Sequence, residues 1–168
     1  MPKTKQNGKQ QGTSARTERG SSKSSQKTSS KFEDLVTKLK GQSITPANLR
    51  QEVFNRLFDQ ATDLPEIGKY YIFEYDPKFK SILKKWDQYP LVQMLEIAGN
   101  NYLGANFHYA TPKERLSYLN SSIRLPEKTL HYYIPKKADN LFFELSVEDV
   151  TILSQLPLEK FHENRKKR

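Results

Sequence analysis

The chain has no cysteine and no long apolar run. Without thiols, disulfides, thiolate metal sites and cysteine nucleophiles are all excluded. No apolar stretch approaches the roughly twenty residues that span a bilayer, and the basic N-terminus lacks the apolar centre of a signal peptide. These absences favour a protein of a reducing cytoplasm, or of a particle assembled there, and we expect no membrane partner.

Motifs of catalysis and cofactor binding are also missing. The sequence has no P-loop, no G-x-G-x-x-G and no G-x-S-x-G. Its three histidines, His108, His131 and His162, do not have metal-ligand spacing, and we interpret them as satisfied or exposed. Glu74 and Asp76 share one strand face, which is typical of a solvated surface. We therefore expect no enzyme activity, no cofactor, no metal and no small-molecule substrate.

Aromatic residues are absent from the first 31 positions, which are rich in Ser, Thr, Gln, Lys and Gly. Such a segment buries too little apolar surface to offset its ordering entropy, so we predict a disordered arm over residues 1–31. Fifteen of the nineteen aromatics lie in residues 64–145, among them Trp86, the only tryptophan. The core of a single domain is expected there.

Positive charge is concentrated at the two ends of the chain. The arm carries eight cations and one acid, and the last four residues are all cationic. Because the whole chain carries +9, residues 32–164 carry a net −2. Cations on mobile ends suit contact with a polyanion. We predict that DNA, or an acidic neighbour, is bound by Lys3, Lys5, Lys9, Arg16, Arg19, Lys23, Lys27, Lys31, Arg165, Lys166, Lys167 and Arg168.

Five arm cations, from Arg16 to Lys31, are spaced three or four residues apart. On a helix these would form one stripe, so one hypothesis is that the stretch becomes helical against a phosphate backbone or an acidic partner. The alternative is chance spacing, because the intervening serines are poor helix formers. The arm has no ring for base stacking, so that mode of binding would have to use the folded body.

Two helices are expected in the segment 32–63. The first would begin at the capping-box pair Ser30 and Glu33 and end at Gly41. Its apolar side chains either pack on the protein's own sheet or dock into a partner's groove as a protein interface; they are Phe32, Leu35, Val36 and Leu39. The second would begin at Thr45-Pro46 and close at residues 63–65, with an apolar face of Leu49, Val53, Phe54, Leu57 and Phe58.

From residue 69 the pattern changes to short strands, predicted over residues 70–75, 91–97, 102–109, 130–134 and 141–145. Gly99 and the two asparagines after it predict a hairpin. Helices are expected from Thr111 to about Asn120 and from Val147 to Leu156. The order indicates an α+β domain over residues 64–162, with a small antiparallel sheet or partly open barrel and flanking helices. A basic C-terminal tail, residues 163–168, would follow.

Four segments carry a resemblance to a known family. They are Tyr71–Lys78 (YIFEYDPK), Trp86–Val92 (WDQYPLV), Leu103–Tyr109 (LGANFHY) and Leu156–Phe161 (LPLEKF). Over residues 68–162 the chain resembles small virion-associated proteins of T-even-like tailed bacteriophages, marine ones among them, that are loosely labelled as DNA-end-associated. The resemblance implies a phage origin more firmly than an activity.

The chain departs from that family's pattern at the turn Asn100–Tyr102 and at the helix start Ala110–Pro112. The arm and the two leading helices are expected to lie outside the shared pattern. Physically, Gly104 permits close backbone approach in a strand. Asn106 and His108 would share a strand face, where they hydrogen-bond a neighbouring loop or lie at an interface.

The sequence thus predicts a non-enzymatic structural or assembly component of a tailed phage particle. Its cationic arm would contact DNA or an acidic neighbour, and its partners would be other virion proteins. Two alternatives stay open at this point. One is a baseplate or tail component whose arm and helices bind only protein, and the other is a phage regulator that binds the host transcription machinery.

Overall fold

The structure is a computed structural model that describes residues 31–41, 43–121, 124–137 and 140–164. Its helices are α1 (Glu33–Lys40), α2 (Pro46–Leu57), α3 (Pro112–Ser121) and α4 (Val147–Leu153). Its strands are β1 (Ala61–Thr62), β2 (Tyr70–Phe73), β3 (Lys85–Asp87), β4 (Leu91–Ala98), β5 (Asn101–Asn106), β6 (Leu130–Tyr133), β7 (Phe142–Leu145) and β8 (Phe161–Glu163). Short 3-10 turns cover Phe58–Gln60, Phe107–Tyr109 and Glu127–Thr129.

Six of the strands form one open antiparallel sheet in the order β1-β7-β2-β4-β5-β6. The other two, β3 and β8, pair with each other as a separate ribbon. The predicted α+β class with an antiparallel sheet is confirmed, and the sheet does not close into a barrel. Gly99, at φ +60°, makes the predicted hairpin between β4 and β5.

The strands β6 and β7 follow one another in sequence but do not pair. β6 lies at one edge of the sheet beside β5, whereas β7 lies between β1 and β2. The connection between them is attached to the segment after β2: Lys78 N donates to the Ile134 carbonyl at 2.9 Å and Lys136 N to the Asp76 carbonyl at 2.8 Å. The connection between β6 and β7 therefore links strands that are not neighbours in the sheet and does not form a hairpin.

The central strands are buried on both faces, which explains their nearly continuous apolar sequence. On β2, Ile72 belongs to the cluster beneath the helices, while Tyr71 and Phe73 belong to a second, largely aromatic cluster on the opposite face. Leu91 and Val92 on β4 divide between the clusters in the same way. Alternation along each strand thus supplies two cores from one sheet.

The first helix packs on the protein's own body. Phe32 and Leu35 are fully buried, and Val36 and Leu39 pack against the same cluster. The structure therefore shows the first of the two alternatives for this helix, and these four side chains do not form a free docking surface. Helix α1 begins at Glu33 after Phe32, which makes no side-chain capping bond; Ser30 lies outside the described residues.

An ion-pair network joins α1 to α2. Arg56 donates to both carboxylate oxygens of Asp34, at 2.6 and 2.8 Å, and to Glu52 at 2.6 Å. Lys38 donates to Glu52 at 2.7 Å. The hydrogen bond from Arg56, with its charge, lowers the Asp34 pKa to about 2, and the same partners raise the pKa of Arg56. The two helices thus form one unit.

Several local predictions hold and others need correction. Thr45 caps α2, the capping box of Thr111 and Glu114 opens α3, and Ser146 caps α4. Helix α2 ends at Leu57, earlier than predicted, so Phe58 is 72% exposed and does not belong to the apolar face. The strand predicted over 102–109 stops at Asn106, where a 3-10 turn takes over.

Candidate nucleic-acid-binding face

A buried carboxylate organises the region between β3 and the end of β5. Asp87 is 2% exposed and accepts four hydrogen bonds. Its Oδ1 accepts from the backbone N–H groups of Tyr89 at 3.1 Å and Lys160 at 3.2 Å. Its Oδ2 accepts from Asn106 Nδ2 at 3.3 Å and lies 2.6 Å from His108 Nδ1. Burial alone would raise the Asp87 pKa, but His108 and the N–H donors outweigh it and lower the pKa below its usual value.

Asn106 and His108 therefore have an internal role, as hydrogen-bond partners of a neighbouring segment. Asn106 also accepts from the backbone N–H of His108 at 2.9 Å and so caps the turn after β5. The partner they share, Asp87, comes from the Trp86–Val92 segment. Residues from separate parts of the resemblance thus meet at one buried site.

Aromatic residues surround this buried site. The ring centroids of Tyr109 and His131 are 4.0 Å apart, and those of Tyr109 and Phe161 are 5.1 Å apart. Burial, aided by the Asp87 charge, raises the pKa of Tyr109 to about 12. Burial also lowers the pKa of His131, whose Nε2 lies 3.0 Å from the Lys128 carbonyl. Tyr109 and His131 are therefore predominantly neutral near pH 7.

The two-stranded ribbon of β3 and β8 adjoins this buried site, because Asp87 is the last residue of β3. The rings of Trp86 and His162 stack across it, with centroids 5.1 Å apart and planes 17° apart. The Lys85 ammonium lies 3.9 Å from the centre of the Phe161 ring. In β3 the aromatic Trp86 lies between Lys85 and Asp87, and in β8 Phe161 and His162 precede Glu163.

A lysine-rich segment precedes the ribbon. Residues 78–85 contain four lysines and no acid, and all four lysines are exposed. Asn164, the last described residue, holds this segment: its side chain donates to the carbonyls of Lys80 and Leu83, at 2.5 and 2.7 Å, and its N–H to that of Lys84 at 3.1 Å. The chain's C-terminal cations therefore follow directly from a residue bonded to a second cationic segment.

Trp86 lines two surface clefts. One, of about 540 Å³, is also lined by His162, by the cations Lys80 and Lys160 and by the carboxylates Glu74 and Asp76. The second, of about 50 Å³, has Lys85 and the 66%-exposed Tyr132 at its rim, and Asp87 among its lining residues. The clefts place accessible rings beside ammonium groups, which is the combination that single-stranded nucleic-acid sites use.

The cations predicted from the sequence to bind DNA lie mostly outside the described residues. Lys31 is described: its ammonium donates to Gln60 Oε1 at 2.7 Å and lies 5.5 Å from the Phe32 ring. The others, in residues 1–30 and 165–168, remain predictions, as does the helical stripe. The prediction did not include the ribbon, since β3 and β8 have only three residues each and no strong strand pattern.

Fold and face together define a small α+β protein with a cationic, aromatic surface over a buried polar support. The chain belongs to the family described as the Phage T4 terminal DNA protecting protein, whose family model matches residues 8–125, or 118 of the 168 residues. It is therefore a phage protein. No curated protein and no solved structure matches the chain.

The extent of this match differs from the expected one at both ends. It begins at residue 8 and so includes most of the basic arm and both leading helices, which had been expected to lie outside the shared pattern. It ends at residue 125, before β6, β7, α4 and β8, although the resemblance was expected to extend to residue 162.

Among the described residues, no helix has the length and apolarity to cross a membrane.

Proposed function

We propose that this protein is a non-enzymatic virion component that binds the termini of linear phage DNA, with its cationic arm contacting phosphates. The observation that carries the proposal is the family match over residues 8–125, since the family is named for the protection of terminal DNA. A bound protein can protect a DNA end by covering it, without catalysing any reaction. A body without the sequence motifs of catalysis is consistent with that role.

The charge distribution supports a phosphate-binding arm. Seven of the chain's cations lie before residue 31, with a single acid among them. Each phosphate neutralised releases condensed counterions and adds about 0.9 to the log–log salt slope on duplex DNA. Such contacts give affinity with little sequence preference, which suits a protein that must accept an end regardless of its base sequence.

Lys31, the last residue of the predicted arm, makes two hydrogen bonds to the folded body. Arg56 Nη1 donates to the Lys31 carbonyl at 2.6 Å, while the Lys31 ammonium donates to Gln60. The root of the arm is thus attached to the α1–α2 unit. A polyanion bound by the arm is thereby held close to the folded body, which raises the effective concentration of any second contact.

The test compares the full chain on two DNAs of equal length: a linear duplex with open ends and the same duplex closed by hairpin loops. Affinity is measured between 50 and 200 mM salt, together with protection from an exonuclease. The arm variant replaces Lys3, Lys5, Lys9, Arg16, Arg19, Lys23 and Lys27 by glutamine. The control replaces two exposed body cations, Lys40→Gln and Lys113→Gln.

We expect tighter binding to open DNA, and a salt slope that falls by as much as about 6 in the arm variant, but by no more than about 2 in the control. Equal affinity for open and closed DNA would remove the terminal preference. An unchanged salt slope in the arm variant would instead assign the arm to a protein neighbour, as in the baseplate or tail alternative.

A further inference from the structure

Lysines line both of the clefts that contain Trp86, together with Glu74 and Asp76 in the larger cleft and Asp87 in the smaller one. Lys80 and Lys160 line one cleft beside the pair, and Lys85 lines the other. Lys80 pairs with Asp76, and Lys85 lies 3.9 Å from Glu163. By contrast, none of the carboxylates in the described residues lies within 4.0 Å of the Lys78, Lys84 or Lys160 ammonium groups. Three exposed charges are therefore available to an external anion.

The rings of this face remain accessible. Trp86 and His162 are only partly buried, and Tyr132, on the rim of the smaller cleft, is 66% exposed. Burying an apolar ring is favourable, so an indole that lines two clefts offers unused contact area. Base–aromatic stacking is sequence-tolerant, because every base has a π-face.

Besides its free 5′ and 3′ groups, a DNA terminus differs from the interior of a duplex in the exposure of its last base pair. Inside the duplex both faces of every base are covered by stacking, whereas at an end the last base exposes a face. The arm has no aromatic side chain and cannot recognise that face. Contacts to the phosphodiesters of the backbone position a protein on DNA but do not read its bases.

We propose that the β3–β8 ribbon is a stacking platform for the exposed bases of a DNA terminus. Trp86 and His162 supply the rings, and Lys84 and Lys160 bind the phosphates of the last nucleotides. This inference rests on the proposed function of DNA-end binding, and it assigns recognition of the end to the folded body while the arm supplies general affinity.

Hydrogen bonds to Asp87 and Gln88 order the ribbon before any DNA is bound. Asp87 accepts from the Lys160 N–H beneath the platform, and Gln88 N donates to the Lys160 carbonyl at 2.9 Å. The His162 ring nitrogen Nε2 lies 2.8 Å from Gln88 Oε1, which fixes the ring. A surface that is already ordered loses little conformational entropy when a base stacks on it.

Trp86 provides the readout, because it is the only tryptophan of the chain. Its fluorescence is followed while the full-length protein is titrated with a short duplex that has open ends, and with the same duplex closed by hairpin loops. We expect quenching of the indole by open DNA and little change with closed DNA.

Two sets of variants separate stacking from folding. Trp86→Leu should weaken binding to open DNA by about 5- to 140-fold, whereas Trp86→Phe, which keeps a ring, should retain most of the affinity. The second set, Lys84→Gln with Lys160→Gln, changes only exposed side chains and should lower the salt slope for open DNA by about 2. Lys113→Gln with Lys40→Gln is the matched control, whose loss should be equal on open and closed DNA.

The outcomes are distinguishable from those of the proposed function. If the protein prefers open DNA but Trp86 is not quenched, and the lysine variant loses equally on both DNAs, the platform is overturned while end binding stands. If the protein shows no preference for open DNA, both proposals fail. Quenching by open DNA together with rescue by Trp86→Phe supports the platform.

Discussion

His108 Nδ1 lies 2.6 Å from Asp87 Oδ2, with both side chains at most 1% exposed. Asp87 lies at the end of β3, whose ribbon is separate from the main sheet, whereas His108 follows β5 of that sheet. This contact therefore joins the ribbon to the sheet through a buried polar pair. Buried polar groups are costly when they lose a partner, so the pair makes the position of the ribbon sensitive to a single atom.

Replacement of Asp87 by alanine should destabilise the protein by about 3–5 kcal/mol, because it leaves four donors, two of them buried, without their acceptor. The measurement is urea denaturation followed by circular dichroism. Asp63→Ala, the same substitution at an exposed position, should change the free energy of unfolding by less than about 0.5 kcal/mol. Equal effects of the two substitutions would show that the Asp87 network contributes nothing to stability.

Gly104→Ala should destabilise the protein by about 1–3 kcal/mol. An added Cβ would lie 3.2 Å from Val92 Cβ and 3.4 Å from the Gln93 carbonyl and Tyr133 Cε2. These neighbours belong to paired strands and cannot move without disturbing the sheet. Gly41→Ala is the control, since its nearest contact would be 3.5 Å; it should be neutral or stabilising by up to about 1 kcal/mol. The measurement is the midpoint temperature of thermal unfolding, which should fall for Gly104→Ala and stay the same or rise for Gly41→Ala.

The contact between α1 and α2 should weaken in acid. The Asp34 pKa is about 2 in the folded protein against an ordinary value of 3.8. A lowered folded-state pKa contributes stability that is complete above the ordinary value and is lost as the pH falls through the folded value. The window is therefore from about pH 4 down to about pH 2.

The matched variant for this window is Asp34→Asn. Unfolding is measured at pH 7, 4 and 2.5 for both proteins, and the variant should be less stable at pH 7, with the difference shrinking between pH 4 and 2.5. A difference that stays constant over this range would show that the Arg56 pair does not carry the effect. Because Asp34 is about half exposed, high salt should also reduce the difference.

Asn164→Ala should loosen the lysine-rich segment without unfolding the domain. The substitution removes two hydrogen bonds to the carbonyls of Lys80 and Leu83, worth about 1–3 kcal/mol together. Amide hydrogen exchange should accelerate within residues 80–85 and stay unchanged in β4. Asn120→Ala, on an exposed position of α3, should leave both regions as they are. Faster exchange in β4 would mean that Asn164 supports the whole sheet.

Local signals in the sequence were sufficient for the helices and the long strands. Thr45, Thr111 and Ser146 each predict a helix start, because a capping side chain accepts a hydrogen bond from the backbone N–H three residues later. The structure has all three of these caps. The hairpin at Gly99 rests on an equally local requirement, a positive φ.

The strand order and the candidate face could not be predicted in this way. Which strand lies beside β2 depends on contacts with distant residues, such as Phe73 with Phe142. The ribbon could not be predicted, because its two strands are far apart in sequence and each has too few residues for a periodic signal. It is defined by the pairing of Trp86 with His162. The meeting of Asp87 with His108 had no sequence signal beyond their occurrence in the resembling segments.

The insertion of β7 between β1 and β2 has a consequence for the limits of the folding unit. The family match ends at residue 125, yet a chain cut there would leave β2 and β5 each with an unpaired edge. It would also lose the buried side chains of Leu145, Val150 and Leu153. Unprotected edges of this kind invite aggregation. During synthesis on the ribosome, β2 is likewise made well before β7, the strand that pairs with it. The boundary of sequence similarity and the boundary of cooperative folding therefore do not coincide.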